Sequence, residues 1–526
     1  MYRQATRSRR GVQVAKTASR SAPVGGLNAR DPIASMGAGD AVVLTNWFCT
    51  PFDVQIRQGY RQHVTGITGN VETVAAYNGP SGSQLFAANT TEIYDVTTAG
   101  TVGAADVSSL TNGRWQHVNF ATTGGNFLVM VNGADKLQLY NGSAWTAVDN
   151  LSTPAITGVT TSQLIHVCSH KRRLWFVQAN TQKAWYLPVD SVGGAATQLD
   201  LGAVFQMGGY LMAAETWTID AGAGMDDHLV FISSRGEVAV YKGTDPASAA
   251  TWALVGVWQI GAPINRRCMI KYGGDVLYIS RDGVVPISKA LLSSRVNTRI
   301  AITDKIQHLV SEDVSTYSAV YGWDILLFPN SNMLILNVPE SSALSHQYVM
   351  NTISGAWARW EGINSFAWEL FNDEPYFGGV GGVYLGWSGW SDNANSSGDN
   401  GQNITTRLLT AFDYHGAATQ LKRWTIMRPV FSSSGVPSVL LQVNVDFDRS
   451  APTGSASIGQ TFTGTTWGGS TWGGGQWNGN SLTITKAWQA AGGVGYCGAL
   501  SLVTASNGIE VRLQAIDYAV EMGGVL

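Results

Sequence analysis

The sequence predicts a mainly β protein: a β-propeller with an additional β-sandwich- or barrel-like platform domain formed by the N- and C-terminal parts. Two observations support this prediction. A pattern of two apolar strands around a polar turn recurs between about Gln84 and Gly389. The composition is poor in charge, at 13% of 526 residues, and contains 61 glycines and 19 tryptophans. Such a composition suits a turn-rich β protein whose surface is partly covered by partners, so we expect oligomerisation.

The recurring pattern is that of a β-hairpin, because β-branched and aromatic residues flank a turn that contains Gly, Asn or Asp. Its copies recur about every 40 to 50 residues, which is roughly the length of one propeller blade. The alternative is a run of unrelated hairpins in an irregular β-sandwich. The sequence lacks a Trp-Asp repeat signature, so the propeller prediction rests on the spacing and the strand pattern. Six copies and a partial seventh lie at residues 84–96, 126–140, 173–189, 227–241, 275–287, 325–338 and 375–385.

Charge and cysteine content exclude several classes of protein. The net charge of -3 gives no whole-protein case for nucleic-acid binding. The four cysteines are far apart and include no CxxC pair, so we expect reduced, buried thiols and folding in a cytoplasm. No stretch approaches the roughly 18 apolar residues that span a bilayer, and no apolar region follows the basic N-terminus. We therefore expect no membrane insertion and no export by a secretory signal.

Residues 1–30 predict a basic extended N-terminal arm, because they contain no acidic residue and no hydrophobic period. Such an arm can contact phosphate, lie across a neighbouring subunit, or have no specific role. We favour the second, because no aromatic residue after Tyr2 interleaves the basic residues as a stacking platform would require. The candidate interface residues of the arm are Arg3, Arg7, Arg9, Arg10, Lys16 and Arg20.

Residues 31–65 predict the N-terminal strands of the platform. Residues 41–48 read as a strand or a short helix, and residues 54–60 alternate as a half-buried strand does. With the end of the arm, this segment carries a motif of Gly-Leu-Asn, Asp-Pro, Asn-Trp-Phe, Pro and Arg-x-Gly-Tyr. The motif residues are Gly26, Leu27, Asn28, Asp31, Pro32, Asn46, Trp47, Phe48, Pro51, Arg57, Gly59 and Tyr60.

This motif resembles the N-terminal segment of the tail hub or nozzle proteins of short-tailed bacteriophages, also called tail tubular or packaged-DNA stabilisation proteins. The hairpin-rich middle and residues 351–360 are similar to the same family. The resemblance implies a structural virion protein, assembled in the host cytoplasm. It further implies a ring, generally hexameric, below the portal and its adaptor, with the propeller beside the channel through which the genome leaves.

Residues 66–390 predict the propeller repeats. Trp115 and Trp145 occupy similar places relative to a hairpin, so we expect both to wedge between adjacent blades, each burial contributing about 2 to 3 kcal/mol. Residues 201–222 read as a short helix or a buried strand pair. A short helix is predicted from about Thr303, capped by Thr303 or Asp304. His166 and His170, with the basic residues 171–173 after them, read as a solvated strand end, because residues four apart on a strand lie some 13 Å apart and disfavour a metal site.

No catalytic, cofactor or metal site is predicted, and we expect no enzymatic activity. A propeller funnel can host glycosidase chemistry if it carries paired carboxylates. The candidate acids fall mostly in turns, where Asp is common for backbone reasons. Ser280, Asp282 and Gly283 resemble one sialidase-type Asp-box turn, but the expected downstream Trp is missing. The candidate acids are Asp220, Asp226, Asp227, Asp282, Asp313, Glu361, Glu369, Asp373 and Glu374.

Residues 391–403 are polar and predict a linker, since their acidic residues miss the EF-hand spacing. Residues 404–526 predict the C-terminal β-rich platform domain, with strands at 407–412, 424–431, 439–447, 481–484 and 509–520. The Gly/Trp loop 465–480 sets Trp467, Trp472 and Trp477 among glycines. Burial of these rings against a neighbouring subunit or tail protein is our hypothesis; burial within their own domain and carbohydrate stacking are the alternatives.

The sequence therefore predicts a subunit of a phage tail nozzle or hub that lines or surrounds the DNA exit channel. Its expected partners are further copies of itself, the portal-adaptor protein, tail fibre or tail-tip proteins, and genomic DNA that passes without being read. The alternative is a carbohydrate-binding or glycan-hydrolysing propeller of a tail spike. Carboxylate pairs facing the propeller funnel favour that alternative.

Overall fold

The computed structural model describes residues 15–220, 225–293, 300–453 and 482–523. The fold is mainly β, as predicted. The chain forms two compact units, with unit 1 made of Met1–Ile56 and Thr405–Leu526, and unit 2 of Arg57–Ile404. The sequence placed the corresponding divisions at 65/66 and 403/404. No helix in the described ranges is long and apolar enough to cross a membrane.

The elements follow one another in chain order. Before unit 2 come β1 (Lys16–Ser21), β2 (Gly26–Leu27), β3 (Asp40–Thr45), β4 (Trp47–Cys49) and β5 (Val54–Ile56). The first half of unit 2 contains β6 (Arg61–Asn70), β7 (Thr73–Gly79), β8 (Gly82–Ala88), β9 (Ile93–Asp95), β10 (Gly100–Thr101), β11 (Gln116–Thr122), β12 (Gly125–Val131), β13 (Leu137–Tyr140), β14 (Trp145–Val148), β15 (Ile156–Thr157), β16 (Leu164–His170), β17 (Arg173–Gln178), β18 (Lys183–Tyr186), β19 (Gly194–Ala195) and β20 (Thr197–Asp200).

The second half of unit 2 contains β21 (Leu211–Asp220), β22 (Met225–Ser233), β23 (Glu237–Gly243), β24 (Trp252–Gln259), β25 (Met269–Tyr272), β26 (Asp275–Ser280), β27 (Gly283–Pro286), α1 (Ile287–Ser293), α2 (Gln307–Tyr317), β28 (Asp324–Phe328), β29 (Met333–Pro339), β30 (Ser345–Asn351), β31 (Trp357–Glu361), β32 (Ala367–Phe371) and β33 (Glu374–Leu385). The chain ends with β34 (Ile404–Thr410), β35 (Lys422–Ser433), β36 (Ser438–Val445), β37 (Thr483–Thr485), β38 (Gln489–Gly495), β39 (Gly498–Ser506) and β40 (Val511–Met522).

Unit 2 is a seven-bladed β-propeller, because seven sheet segments, numbered here as blades 1 to 7 in chain order, have first strands that close into a ring; β15 and β19 form a further short pair. The first strands are β7, β11, β16, β21, β25, β28 and β32, and each contacts the next blade, with β32 returning to β7. Within a blade successive strands run outward and pair antiparallel, for example β21-β22-β23-β24, except that β10 pairs parallel with β6 in the last blade. A ring of blades buries both faces of every sheet except at the rim.

The propeller is closed by a strand from its own N-terminal end. In the last blade β32 pairs with β33, and β33 pairs antiparallel with β6, the first strand of unit 2. The last blade is therefore built from the two ends of the unit. This arrangement ties chain entry to chain exit by main-chain hydrogen bonds.

Six of the predicted hairpins are confirmed, and the seventh is wrong. Five of them are the second and third strands of successive blades, whereas residues 325–338 are the first and second strands of theirs, β28 and β29. Residues 375–385 lie within one strand, β33. Its glycines make a bulge instead of a turn, since the pairing shifts between Val380 and Gly382 and Gly381 has a φ of +78°.

The predicted wedging of the two tryptophans is confirmed. Trp115 is fully buried in a cluster that joins Phe86 of blade 1 to Tyr140 of blade 2. Trp145 packs on the same cluster, with its ring centroid 4.9 Å from that of Phe86 and 5.1 Å from that of Tyr140.

Local choices that the sequence left open are settled by the surrounding sheets. Residues 41–48 are strands, β3 and β4, and the described part of the stretch 201–222 contains the single strand β21. The helix expected from Thr303 begins with a 3-10 turn at Asp304–Ile306 and continues as α2. The predicted cap is wrong: neither helical segment has a side-chain cap, and the Thr303 hydroxyl accepts a hydrogen bond from the Val284 amide instead.

Unit 1 contains two antiparallel sheet segments. One joins β37, β35, β40, β5 and β4, with β1 on β40 and β38 on β35; the other joins β3, β34, β39 and β36. Trp424 of β35 is buried against Gly498 of β39, where a Cβ atom would lie 2.5 Å from the indole ring. The sequence missed β38 and β39, which lie in a glycine-rich stretch without a clear alternation. The role of this unit as a platform stays a prediction.

Candidate functional site at the propeller axis

The candidate site is a cavity of about 270 Å³ at the centre of the blade ring. The innermost strands of six blades contribute to it, through β7, β11, β16, β25, β28 and β32. Ring closure thus brings together residues that are far apart in the chain. Its ionisable lining residues are His117, His166, Arg266, Arg267, Asp324 and Glu369.

Arg267 bridges the cavity. Its Nη2 atom donates to the Glu72 carbonyl at 3.1 Å, the Thr73 hydroxyl at 2.6 Å and the Trp115 carbonyl at 3.0 Å. Its Nη1 atom lies 3.8 Å from Asp324 Oδ2. One guanidinium therefore connects the inner ends of blades 1 and 2 with blade 6. A planar fork with five donors suits this role, which a lysine does not fill.

A second pair and a buried acid form the acidic side of the cavity. His117 Nε2 lies 3.2 Å from Glu369 Oε2. Both oxygens of Asp324 accept main-chain hydrogen bonds, from Ile325 at 2.9 Å and Trp368 at 3.0 Å. Burial raises the pKa of Asp324, and the nearby Arg267 opposes that rise.

Arg266 and His166 form the basic side. Arg266 Nη1 donates to the Asn132 carbonyl at 3.3 Å, beside Gly133, where a Cβ would lie 2.6 Å from Ile165 Cγ2. His166 is buried, and its Nδ1 has no hydrogen-bond partner. Burial lowers the pKa of His166 to about 4, and the positive charge of Arg266 adds to this effect. The ring is therefore neutral at neutral pH.

The predicted solvated strand end at residues 166–173 is wrong for its histidines. β16 is the innermost strand of its blade, so His166 faces the axis, after a bulge between Leu164 and His166. His170 is also buried and contacts the Thr216 hydroxyl at 3.1 Å. The cations that follow are paired on the surface, with Lys171 2.8 Å from Asp227 and Arg172 bonded to Asp190.

The Arg-x-Gly-Tyr part of the motif forms the seam where the chain enters and leaves the propeller. Arg57 is fully buried and pairs through both terminal nitrogens with Asp392, at 2.7 and 2.6 Å. The Gly59 amide donates to the Gly389 carbonyl at 3.0 Å and the Tyr60 amide to the Ser391 carbonyl at 3.2 Å. The start of the predicted linker 391–403 is thus fastened to the propeller.

The predicted interface residues are only partly described. Lys16 and Arg20 lie on β1, which pairs with β40 of the same chain. Arg20 is 2.9 Å from Asp413 and donates to the Ala411 carbonyl at 3.3 Å. The others lie outside the described residues: Arg3, Arg7, Arg9, Arg10, Trp467, Trp472 and Trp477.

The fold does not gather the candidate acids into one site. Asp227 pairs with Lys171, whereas Asp313 accepts a hydrogen bond from the Tyr348 hydroxyl at 2.7 Å and lies 3.1 Å from His346. Among the candidate acids whose side chains the structure describes, only Glu369 lines the axial cavity. Over the described ranges, no group of three or more His, Cys, Asp or Glu side chains is placed to hold a metal ion. The four cysteines are buried thiols, as predicted.

Sequence reasoning missed His117, Arg266, Arg267 and Asp324. One signal was available: Arg266 and Arg267 are adjacent charges just before an apolar strand in a charge-poor chain. Strand patterns do not tell which strand of a blade is innermost, so they do not show which polar residues face the axis.

No protein-family model and no curated protein matches the chain. Three solved structures share limited similarity with it. BBS1N in complex with ARL6DN is 13% identical over 41% of this chain and 61% of that chain, with a TM-score of 0.28. The Cps50 (Swd1) β-propeller domain of Myceliophteria thermophila is 11% identical over 62% and 98%, with a TM-score of 0.38. YCF48 bound to D1 peptide is 10% identical over 67% and 98%, with a TM-score of 0.34.

The chain therefore spans less than two thirds of the BBS1N chain. All three TM-scores are below 0.5, and these likenesses carry no argument about function. The strand pairing of unit 2 itself defines the propeller.

Proposed function

We propose that this protein is a structural virion protein, a subunit of the ring-shaped tail nozzle or hub of a short-tailed bacteriophage. It surrounds or lines the DNA exit channel and docks the adaptor and the tail fibre or tip proteins. The family resemblance of the N-terminal motif suggests this role. Three features of the molecule support it, one for assembly and two for passive passage of DNA.

An uncharged sheet edge carries the case for assembly. β24 is the outermost strand of blade 4 and pairs only with β23 within the described part of the chain. Its sequence, WALVGVWQ, has no charge, and Leu254, Val255 and Val257 are 43%, 47% and 39% exposed. Soluble proteins protect such an edge with charges, proline, bulges or a covering element; β24 has one bulge, at Val255, but no charge and no proline. Coverage by a neighbouring copy in a ring accounts for its composition.

The axis of the propeller supports a role beside the DNA channel. Arg267 crosses the axial cavity. The volume of this cavity, about 270 Å³, is far too small to admit a DNA duplex. The net charge of -3 also suits a surface from which DNA must be released. In this proposal DNA passes outside the blade ring, and the propeller acts as a rigid body of the ring wall.

Electron microscopy and mass photometry of the purified full-length protein test this proposal. We expect closed rings, generally of six copies. Val255→Lys places a charge in the middle of β24 and shifts the population to single subunits. Val189→Lys, at another exposed valine of the propeller, is the matched control and leaves the rings intact. Single subunits for the wild type at every concentration contradict the proposal.

A second candidate is a glycan-hydrolysing propeller, because Asp324 and Glu369 both line the axial cavity and the raised pKa of Asp324 is a property of general acids. Against it, both Asp324 oxygens accept main-chain amides, which stabilises the ionised form. Depolymerisation of host-surface glycan that is lost in both Asp324→Asn and Glu369→Gln favours this candidate over the nozzle.

A further inference from the structure

The basic side of the axial cavity has the composition of an anion site. Arg266 carries a full charge and uses one of its five donors, on the Asn132 carbonyl. Among the carboxylates whose side chains are described, none forms an ion pair with it. Burial lowers the pKa of Arg266, and the positive charge of Arg114 lowers it further. A partly buried cation beside other cations, without a counter-ion, is costly.

His166 supplies a second, independent indication. It is only 8% exposed, it lines the same cavity, and its Nδ1 has no partner. That nitrogen is sealed off from the cavity as well as from solvent, so the ring nitrogen through which a ligand in the cavity can be bound is Nε2. A neutral imidazole donates one N–H bond, which is what an anion between His166 and Arg266 accepts.

We propose that the axial cavity binds one small oxyanion of the phosphate class between Arg266 and His166. The Arg266 guanidinium holds two of its oxygens through its fork, and the His166 ring donates to a third. Arg267 is not assigned as a ligand, because its Nη2 is bound to Glu72, Thr73 and Trp115 and its Nη1 lies 3.8 Å from Asp324. Asp324 and Glu369, across the cavity, repel a large polyanion, so the site fits a small free anion and not a nucleic-acid strand. This inference does not depend on ring formation.

Isothermal titration calorimetry of the full-length protein with inorganic phosphate, at ionic strength held constant with chloride, tests the proposal. We expect one phosphate per chain for the wild type and at least about tenfold weaker binding for Arg266→Gln, which loses the charge-assisted bonds. Arg172→Gln, at an exposed arginine already paired with Asp190, is the matched control and binds as the wild type does. Equal binding by Arg266→Gln, equal loss in Arg172→Gln, or no wild-type binding at millimolar phosphate overturns the proposal.

A stability measurement separates a ligand site from a structural contact. In phosphate-free buffer Arg266→Met removes an unpaired cation, so we expect its thermal midpoint to equal or exceed that of the wild type. Added phosphate raises the midpoint of the wild type and leaves that of Arg266→Met unchanged. If Arg266→Met instead lowers the thermal midpoint in phosphate-free buffer, the role of Arg266 is to stabilise the fold through its hydrogen bond to the Asn132 carbonyl, and the proposal fails.

Discussion

Arg267 illustrates how one side chain stabilises a structure whose elements are distant in sequence. It donates to Glu72, Thr73 and Trp115, all near the inner ends of blades 1 and 2, and lies close to Asp324 of blade 6. Thr73 and Trp115 are buried, and Glu72 is half-buried. Arg267 therefore satisfies polar atoms that the blade ring withdraws from water.

We expect Arg267→Met to lower the free energy of unfolding by about 3 kcal/mol, because it leaves buried acceptors and the Asp324 carboxylate without their cation. Urea denaturation measures this change. Arg281→Met, at an exposed arginine of the same unit, is the control and stays within about 0.5 kcal/mol of the wild type. If Arg267→Met also changes the free energy of unfolding by no more than about 0.5 kcal/mol, the contacts of Arg267 make no net contribution to stability.

His166 gives the protein a defined response to acid. Its folded-state pKa of about 4 lies below the usual value of 6.5, so unfolding takes up a proton between these pH values. Its contribution to stability is therefore complete above pH 6.5 and is lost as the pH falls toward 4. The loss amounts to at most roughly 3 kcal/mol.

We expect His166→Gln to lose less stability than the wild type between pH 6.5 and pH 4, because glutamine takes up no proton. Urea midpoints at intervals across that range, in phosphate-free buffer, measure the difference. His308→Gln, at an exposed position of α2, is the control and keeps the wild-type pH slope. Parallel curves for His166→Gln and the wild type contradict the assignment.

Strands and turns could be predicted where residues close together in the sequence determine them. A turn such as Asn132-Gly133 between apolar strands predicts its hairpin from sequence alone, and six such hairpins are present. The seventh failed because Gly381 in a glycine-rich strand serves a bulge as readily as a turn. The axial residues were not predictable, since facing the axis depends on blade order and ring closure. Arg267 and Asp324 are 57 residues apart in sequence and meet only because the ring brings blades 5 and 6 together.

The close approach of two chain segments beside the Arg57–Asp392 pair can be tested by adding a single methyl group at Gly59. A Cβ atom at Gly59 would lie 1.8 Å from the Ser391 carbonyl oxygen, so Gly59→Ala forces two main-chain segments apart. We expect a loss of about 1 to 3 kcal/mol in unfolding free energy, measured by urea denaturation. Gly103→Ala is the matched control, because nothing lies within 4 Å of its added Cβ. A neutral effect of Gly59→Ala contradicts the close approach.

At the scale of the whole molecule, the pairing of β6 with β33 determines which part of the chain forms a closed ring. Residues 57–404 contain both strands and the Arg57–Asp392 pair, so we expect this fragment to unfold cooperatively with a β-type circular dichroism spectrum. Residues 71–404 lack β6 and expose the long edge of β33, whose unpaired main-chain groups promote aggregation. We expect this shorter fragment to aggregate or to unfold well below the longer one in size-exclusion and thermal measurements. Equal stability of the two fragments contradicts closure by β6, because the last blade then holds together without a strand from the other end of the unit.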